Sequence, residues 1–217
     1  MPGFDHRESH ERHAPVRRLL LASSNPGKLR EIQSLVAGLP YRIVLPGEDG
    51  FSLPHVEEDG ATFAENAIKK ALAAARAAAD SWVLADDSGL EVDALEGEPG
   101  VRSARFAGQE GGQVARDRAN NLLLLKRLRG VPPERRQARF VCVIALADTQ
   151  GLLATTSGEV RGQILEAPRG TGGFGYDELF FHPGSGRTFA QMKTAEKQAV
   201  SHRGRALEEI HRFLGSR

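Results

Sequence analysis

The chain has 217 residues with a formal net charge of +1; 40% of them are apolar and 26% are charged. That balance describes an ordinary folded protein and gives no whole-molecule reason to bind nucleic acid or an anionic membrane, so any anion binding must come from local clustering. No apolar run approaches the ~18 to 20 residues that span a bilayer, and the one cysteine, Cys142, lies in the apolar run FVCVIAL, where it reads as a small buried side chain suited to a reducing cytoplasm.

Residues 1–17 are polar, without the apolar middle of a signal peptide, and read as a flexible arm ahead of a single domain over 18–217. Their histidines, His6, His10 and His13, read as part of a solvated tail rather than a metal site. Arg18 to Ala22 predicts a short apolar strand that runs directly into Ser23-Ser24-Asn25-Pro26-Gly27-Lys28. Asn25 suits a helix N-cap and Pro26 the first helical position. A helix follows, with Leu29, Ile32, Leu35 or Val36, and Leu39 recurring at helical spacing and Lys28, Arg30 and Glu31 facing outward. Free backbone N–H groups and the positive dipole end at such a junction suit an anion, and Lys28 adds a formal charge. The spacing GxxxxGK[ST] is absent, so this is not a Walker loop.

Arg42 to Leu45 predicts a second strand, and a Gly/Pro-rich loop carrying Glu57 and Glu58 follows it. Thr62 and Glu65 form a capping box that opens the alanine-rich AENAIKKALAAARAAA, the strongest helix in the chain, with Asn66 and Lys70 one turn apart on it. In WVLADDSGLEVDAL, Val83 to Ala85 predict a buried strand that delivers Asp86 and Asp87 into a turn at Ser88-Gly89, and Leu90 to Ala94 predict a second, half-exposed strand. A helix over Gln113 to Leu128 should bury Leu122, Leu123 and Leu125. Arg139 to Ala147 and Leu152 to Val160 read as the longest hairpin.

GTGGFG, Gly170 to Gly175, fits GxGxxG literally, but it neither follows a buried strand nor opens a helix, so it is not a dinucleotide fingerprint. It reads instead as a close-approach loop. Phe174 and Tyr176 carry rings that could stack on a base, and Asp177 supplies an acceptor. Thr194 to Phe213 is helical in pattern with a break near Ser201 to Gly204, where His202 and Arg203 form a polar cluster after Lys197.

Six blocks in order, SSNPGKLREI, TFAENAIKKA, ADDSGLEVDAL, PGVRSARFAG, GTGGFGYDELFF and EKQAVSHRGRAL, together resemble the inosine triphosphate pyrophosphatase family from about Leu19 to Leu214. The resemblance implies an α/β fold, elongated and two-lobed on a long twisted mixed sheet with flanking helices and a central cleft, commonly a homodimer. It implies Mg²⁺-dependent hydrolysis of ITP, dITP or XTP to the monophosphate and pyrophosphate, with a purine nucleoside triphosphate as the partner molecule. On the matching positions, Ser23, Ser24, Asn25, Pro26, Gly27 and Lys28 would hold the triphosphate with Lys70 and Lys197. Glu57 and Asp87 would hold Mg²⁺, with Glu58 the alternative to Glu57. Asp87, or Asp86 beside it, would act on the attacking water, its pKa raised by the like charge next to it. Ser88, Phe174, Gly175, Tyr176, Asp177, His202 and Arg203 would face the base, with Arg203 a donor near O6. Alternative readings are a Maf-like pyrophosphatase of modified pyrimidine nucleotides and a nucleotide-binding module that does not hydrolyse.

Overall fold

A computed structural model describes residues 17–78 and 81–216. The arm expected over residues 1–17 lies outside them except for Arg17, which opens the first strand. In chain order the elements are β1 (Arg17–Leu21), α1 (Pro26–Val36), β2 (Tyr41–Val44), α2 (Phe63–Ala77), β3 (Ser81–Val92), α3 (Gln113–Arg127), β4 (Gln137–Asp148), β5 (Gly151–Ile164), β6 (Phe180–His182), β7 (Arg187–Thr188), α4 (Thr194–Val200) and α5 (His202–Gly215). The strands form one mixed sheet in the order β2-β1-β3-β4-β5-β6-β7. β1 runs parallel to β2 and β3, because α1 and α2 serve as the crossovers that parallel neighbours need. From β3 onward the pairing is antiparallel, led by the long β4–β5 hairpin.

Local signals set several boundaries. Asn25 accepts from the N–H groups of Gly27 and Lys28, and Pro26 begins α1. Thr62 caps α2 through the Glu65 N–H, although Glu65 reaches back to the Ala61 N–H, one residue before the cap. Ser201 separates α4 from α5 and caps the latter through Gly204 N–H. The expected turn at Ser88-Gly89 does not exist. β3 is one strand of 12 residues, paired without interruption from Val83↔Ala147 to Val92↔Ala138. Gly89 is there for space: a Cβ would fall 2.4 Å from Ser103 Oγ and 2.6 Å from the Gly100 carbonyl oxygen.

The sheet buries both faces. On one, Leu19, Leu21, Trp82, Leu84 and Ile144 pack against Ile32 and Val36 of α1 and Leu207, Ile210 and Leu214 of α5. On the other, Leu20, Val83, Ala85 and Ala145 meet the alanines of α2, whose small side chains let helix and sheet approach closely. Farther along β3 and β4 a third cluster joins Leu90, Val92 and Phe140 to Phe180 and Phe189, under Leu124 and Leu128 of α3. Each fully buried Leu or Phe contributes about 1.5 to 3 kcal/mol by transfer from water. α3 is rotated somewhat from the expected face: Leu124 and the C-cap Leu128 are fully buried, Leu123 and Leu125 are half-buried, Leu122 is 60% exposed, and Asn120 and Asn121 turn inward. Those two amides are needed inside to hold loops, as described below. The cleft lies between the α1/α2 end of the sheet and this third cluster.

Candidate active site

The junction of β1 and α1 forms one wall. Its backbone donors differ from the expectation: Pro26 has no N–H, the Gly27 and Lys28 N–H groups donate to Asn25 Oδ1 at 2.8 and 3.2 Å, and the Leu29 N–H goes to the Asn25 carbonyl. The helix start is thus closed by its own cap, and what it offers an anion is the hydroxyls of Ser23 and Ser24, the Lys28 ammonium and the dipole. Ser23 and Ser24 line a polar compartment with Lys28, Lys70, Glu58, Asp87 and Arg116. Pro26 and Gly27 are not in that lining; they border a neighbouring depression with Gln113, Asp117 and Phe174. Gly27 is closed against the base-side loop, since a Cβ there would fall 2.4 Å from Phe174 Cδ1.

Because side chains alternate along a strand, Asp86 and Asp87 point to opposite faces of the sheet. Asp86 joins the α1/α5 face, 1% exposed, where its Oδ2 lies 3.0 Å from Lys28 Nζ and 3.3 Å from Arg203 Nη2 and accepts from Ser88 Oγ at 3.1 Å. Burial alone would raise its pKa, but Lys28, Arg203 and Lys70 outweigh it and hold the carboxyl far below the ordinary range. Asp87 joins the α2 face. Its Oδ1 lies 3.3 Å from Lys70 Nζ and its Oδ2 accepts from Asn66 Nδ2 at 3.2 Å. Here burial prevails and pushes the pKa up, Lys70 and Lys28 opposing, with Glu58 and Asp86 adding smaller upward contributions. The rise expected from like-charge crowding is therefore mainly a burial effect. Lys70 also meets Glu58 Oε1 at 3.2 Å, and these carboxylates hold its ammonium above the ordinary value although burial alone would lower it.

Glu58, not Glu57, faces the site. Glu57 is exposed and absent from the lining, whereas Glu58 is held by Lys70 and by Arg105, which donates to the Glu58 carbonyl at 2.6 Å. The loop alternates in and out, and Asn66 fixes its phase by accepting from the Gly60 N–H at 2.9 Å while donating to Asp87. Glu58 and Asp87 form an all-oxygen pair converging on one cationic position, a donor set that suits a small hard cation which completes its shell with water and phosphate oxygens. Among the described residues no group of three or more His, Cys, Asp or Glu side chains is placed to hold a metal.

A second compartment shares Asn25, Lys28 and Ser88 with the first and is lined further by Phe140, Phe174, Gly175, Tyr176, Asp177, His202 and Arg203. His202 stacks on Phe140 with centroids 4.7 Å apart, and burial, aided by Arg203 and Lys197, holds its pKa well below the ordinary value, so the imidazole is neutral. Tyr176 is core rather than a stacking ring: it is 4% exposed and its hydroxyl donates to the Ser103 carbonyl at 2.8 Å. Arg203 lines this compartment too, but most of its donors are turned to the protein: Nε and Nη2 to Asp86, Nη1 to Glu31 and Nη2 to Ser88 Oγ. Lys197 is likewise withdrawn from phosphate: it is 5% exposed, pairs with Glu31 Oε1 at 2.8 Å and Asp177 Oδ2 at 2.6 Å, and lies 4.7 Å from the Phe174 ring centroid.

Glu31 reverses its expected outward position. It is 7% exposed, and Arg203 and Lys197 hold its pKa below the ordinary value against the opposing effect of burial. Lys28, Asp86, Arg203, Glu31, Lys197 and Asp177 thus form one chain of ion pairs across the cleft floor. Asp117 and Asn121 of α3, also unforeseen, grip the Gly-rich loop.

The comparisons with known proteins agree with this architecture. The model of the Ham1 family matches residues 19–213. The dITP/XTP pyrophosphatase of Geobacter sulfurreducens is 53% identical over 198 residues, covering 91% of this chain and 96% of its own; that of Thermus thermophilus is 48% identical over 193 residues, covering 89% of each. Among solved structures, a HAM1 protein from Coxiella burnetii superposes with a TM-score of 0.81 at 40% identity, covering 93% of this chain and 100% of its own. The Staphylococcus aureus Ham1 protein gives 0.78 at 38%, covering 92% and 99%. With the matched model spanning nearly the whole described chain, this protein belongs to the Ham1 family.

Proposed function

We propose that the chain hydrolyses deaminated purine nucleoside triphosphates, ITP, dITP and XTP, to the monophosphate and pyrophosphate, and so removes them from the nucleotide pool. The observation that carries this reading is the joined pair of compartments. One is polar and holds Lys28, Lys70, Glu58 and Asp87; the other is walled by Phe174, Phe140 and His202 and is suited to a planar base. The relatives named dITP/XTP pyrophosphatase support the choice of substrate.

In this reading Ser23, Ser24, Lys28 and Lys70 hold the triphosphate. Glu58 and Asp87 would hold Mg²⁺, which would supply positive charge to offset the charge developing on the phosphates. Asp87 takes the proton of the water that attacks the α-phosphorus. Asp86 anchors Lys28 and Arg203 and takes no proton. Phe174 covers one face of the base. His202 brings a neutral imidazole to the same compartment, where a ring nitrogen can hydrogen-bond the base without introducing charge. The compartment is cytoplasmic and the working assembly is a homodimer, as the family resemblance implies; light scattering on the eluted protein measures the latter.

The test is a turnover panel with Mg²⁺ across purine and pyrimidine triphosphates. ITP, dITP and XTP should be consumed fastest and release pyrophosphate. Release of orthophosphate, or preference for a pyrimidine, would overturn the assignment.

A further inference from the structure

We infer that Asp117, with Asn121 one turn later on α3, is the positioning residue that sets the base-side loop, and that it acts on nucleotide binding through Gly175 and Phe174. The inference rests on the reading of Phe174 as the cover of the base.

The Gly175 residue is gripped at both ends by a single helix. Its N–H donates to Asp117 Oδ2 at 2.8 Å and its carbonyl accepts from Asn121 Nδ2 at 3.0 Å. Both partners are committed to this task. Asp117 Oδ1 accepts from Gln113 Nε2 at 2.6 Å, which fixes the carboxylate. Asn121 Nδ2 also donates to Glu178 Oε1 at 2.8 Å, while its buried Oδ1 makes no hydrogen bond, so the hydrogen bonds of its carboxamide run to the loop. Gly175 has φ +63°, and a Cβ there would meet nothing within 4 Å, so glycine is required for conformation and not for room. The turn closes on itself through the Asp177 N–H, which donates to the Phe174 carbonyl at 3.3 Å, and the two bonds from α3 are what anchor Gly175 from outside the loop. The neighbouring Phe174 N–H donates to Asp177 Oδ2 at 2.9 Å, and the Phe174 ring seats on Gly27, so the 174–175 peptide is where the hold of α3 reaches the ring.

An N–H to carboxylate bond is among the stronger hydrogen bonds. Its loss in Asp117→Ala should let the loop reorient and raise KM for dITP about tenfold, with kcat within about threefold of wild type. Asp117→Asn keeps an oxygen for the Gly175 N–H and should restore KM to near wild type. Tripolyphosphate, which has no base, should inhibit wild type and Asp117→Ala to within about twofold, because of the polar lining only Gln113 is held by Asp117, and Ser23, Ser24, Lys28 and Lys70 are not. Asn121→Ala, read the same way, should repeat the KM effect and serves if Asp117→Ala does not fold. An unchanged KM in the folded variants overturns the inference. So does a KM increase matched by weaker tripolyphosphate inhibition and not rescued by asparagine, which is the pattern of general structural damage. The wild-type enzyme in the same assay separates the two levels: an inactive wild type sinks the functional reading and this inference with it, whereas an active wild type with an unaffected Asp117→Ala sinks only the inference.

Discussion

Asp86 and Asp87 share a residue type and a place in the chain, and burial acts on both, yet their surroundings give them opposite signs. Asp86 has its pKa lowered by Lys28 and Arg203, so its stabilising contribution is present above the ordinary value of 3.8 and is lost as pH falls through the lower folded value. Asp87 has its pKa raised, so folding favours its neutral form; that contribution is complete below 3.8 and is lost as pH rises through the higher folded value. The same substitution should therefore do opposite things in metal-free protein near neutral pH. Asp86→Asn strips a counter-charge from the buried Arg203 and the half-buried Lys28 and should cost about 3 to 5 kcal/mol. Asp87→Asn removes a charge that burial disfavours and should leave the melting temperature unchanged or higher. In turnover the ranking reverses, because Asp87→Asn should lower kcat by about 10² to 10⁴-fold as a lost general base. Thermal melts in chelator at about pH 7, beside dITP assays with Mg²⁺, check both statements. A folded Asp87→Asn with wild-type kcat removes Asp87 from the chemistry.

Among the elements, those governed by neighbours in sequence were readable and those governed by distant partners were not. The caps at Asn25 and Thr62, the β4–β5 hairpin and the break at Ser201 follow from side chains reaching two or three residues along the chain. β3 was misread because Ser-Gly after two aspartates has the composition of a turn; what keeps the strand straight is its ladder to β4, together with the segment after Gly100, which packs on Gly89. Gly89→Ala should therefore destabilise by about 1 to 3 kcal/mol through overpacking, since one of the three clashing atoms is a backbone carbonyl that cannot rotate away. Denaturant titration would show it as a lower midpoint at unchanged slope, and an unaffected midpoint would mean that the loop yields. The face of α3 and the burial of Glu31 escaped detection for the same reason: Asp117 meets Gly175 across 58 positions and Glu31 meets Arg203 across 172. Periodicity assigns a polar residue to solvent unless its partner is in view. Glu58 could have been preferred to Glu57 only by knowing the phase of an irregular loop, which Asn66 sets.

Across the molecule, three cations and three carboxylates run in an unbroken chain from Lys28 on α1, through Asp86 on β3 and Arg203 on α5, back to Glu31 on α1 and on to Lys197 of α4 and Asp177 in the base-side loop. Apolar packing holds each end of the sheet, but this chain ties the phosphate-side helix to the base-side wall. Glu31 is its centre, touching both Lys197 and Arg203. Glu31→Gln should cost about 3 to 5 kcal/mol, because two buried cations lose their shared partner. Adding Lys197→Gln should cost less than the sum of the two single changes, as expected for residues in one network. Strict additivity in chemical denaturation would show that the pairs stand independently. The order of the six sequence blocks identified the family, and the α/β fold came with it; the wiring between the blocks had to be seen in three dimensions.

The uninterrupted pairing of β3 with β4 has one more consequence. The two aspartates are assigned their jobs by strand parity, so the tolerance of this segment to length change is zero in a way that its tolerance to substitution is not. One residue inserted or deleted between Ser81 and Asp86 would turn the Asp87 carboxylate toward Lys28 and Arg203 and the Asp86 carboxylate toward Lys70, exchanging the surroundings of the two while every side chain of the site is still encoded. Compensation would then require a matching change of length in the same strand, and no repair of an individual residue would substitute for it.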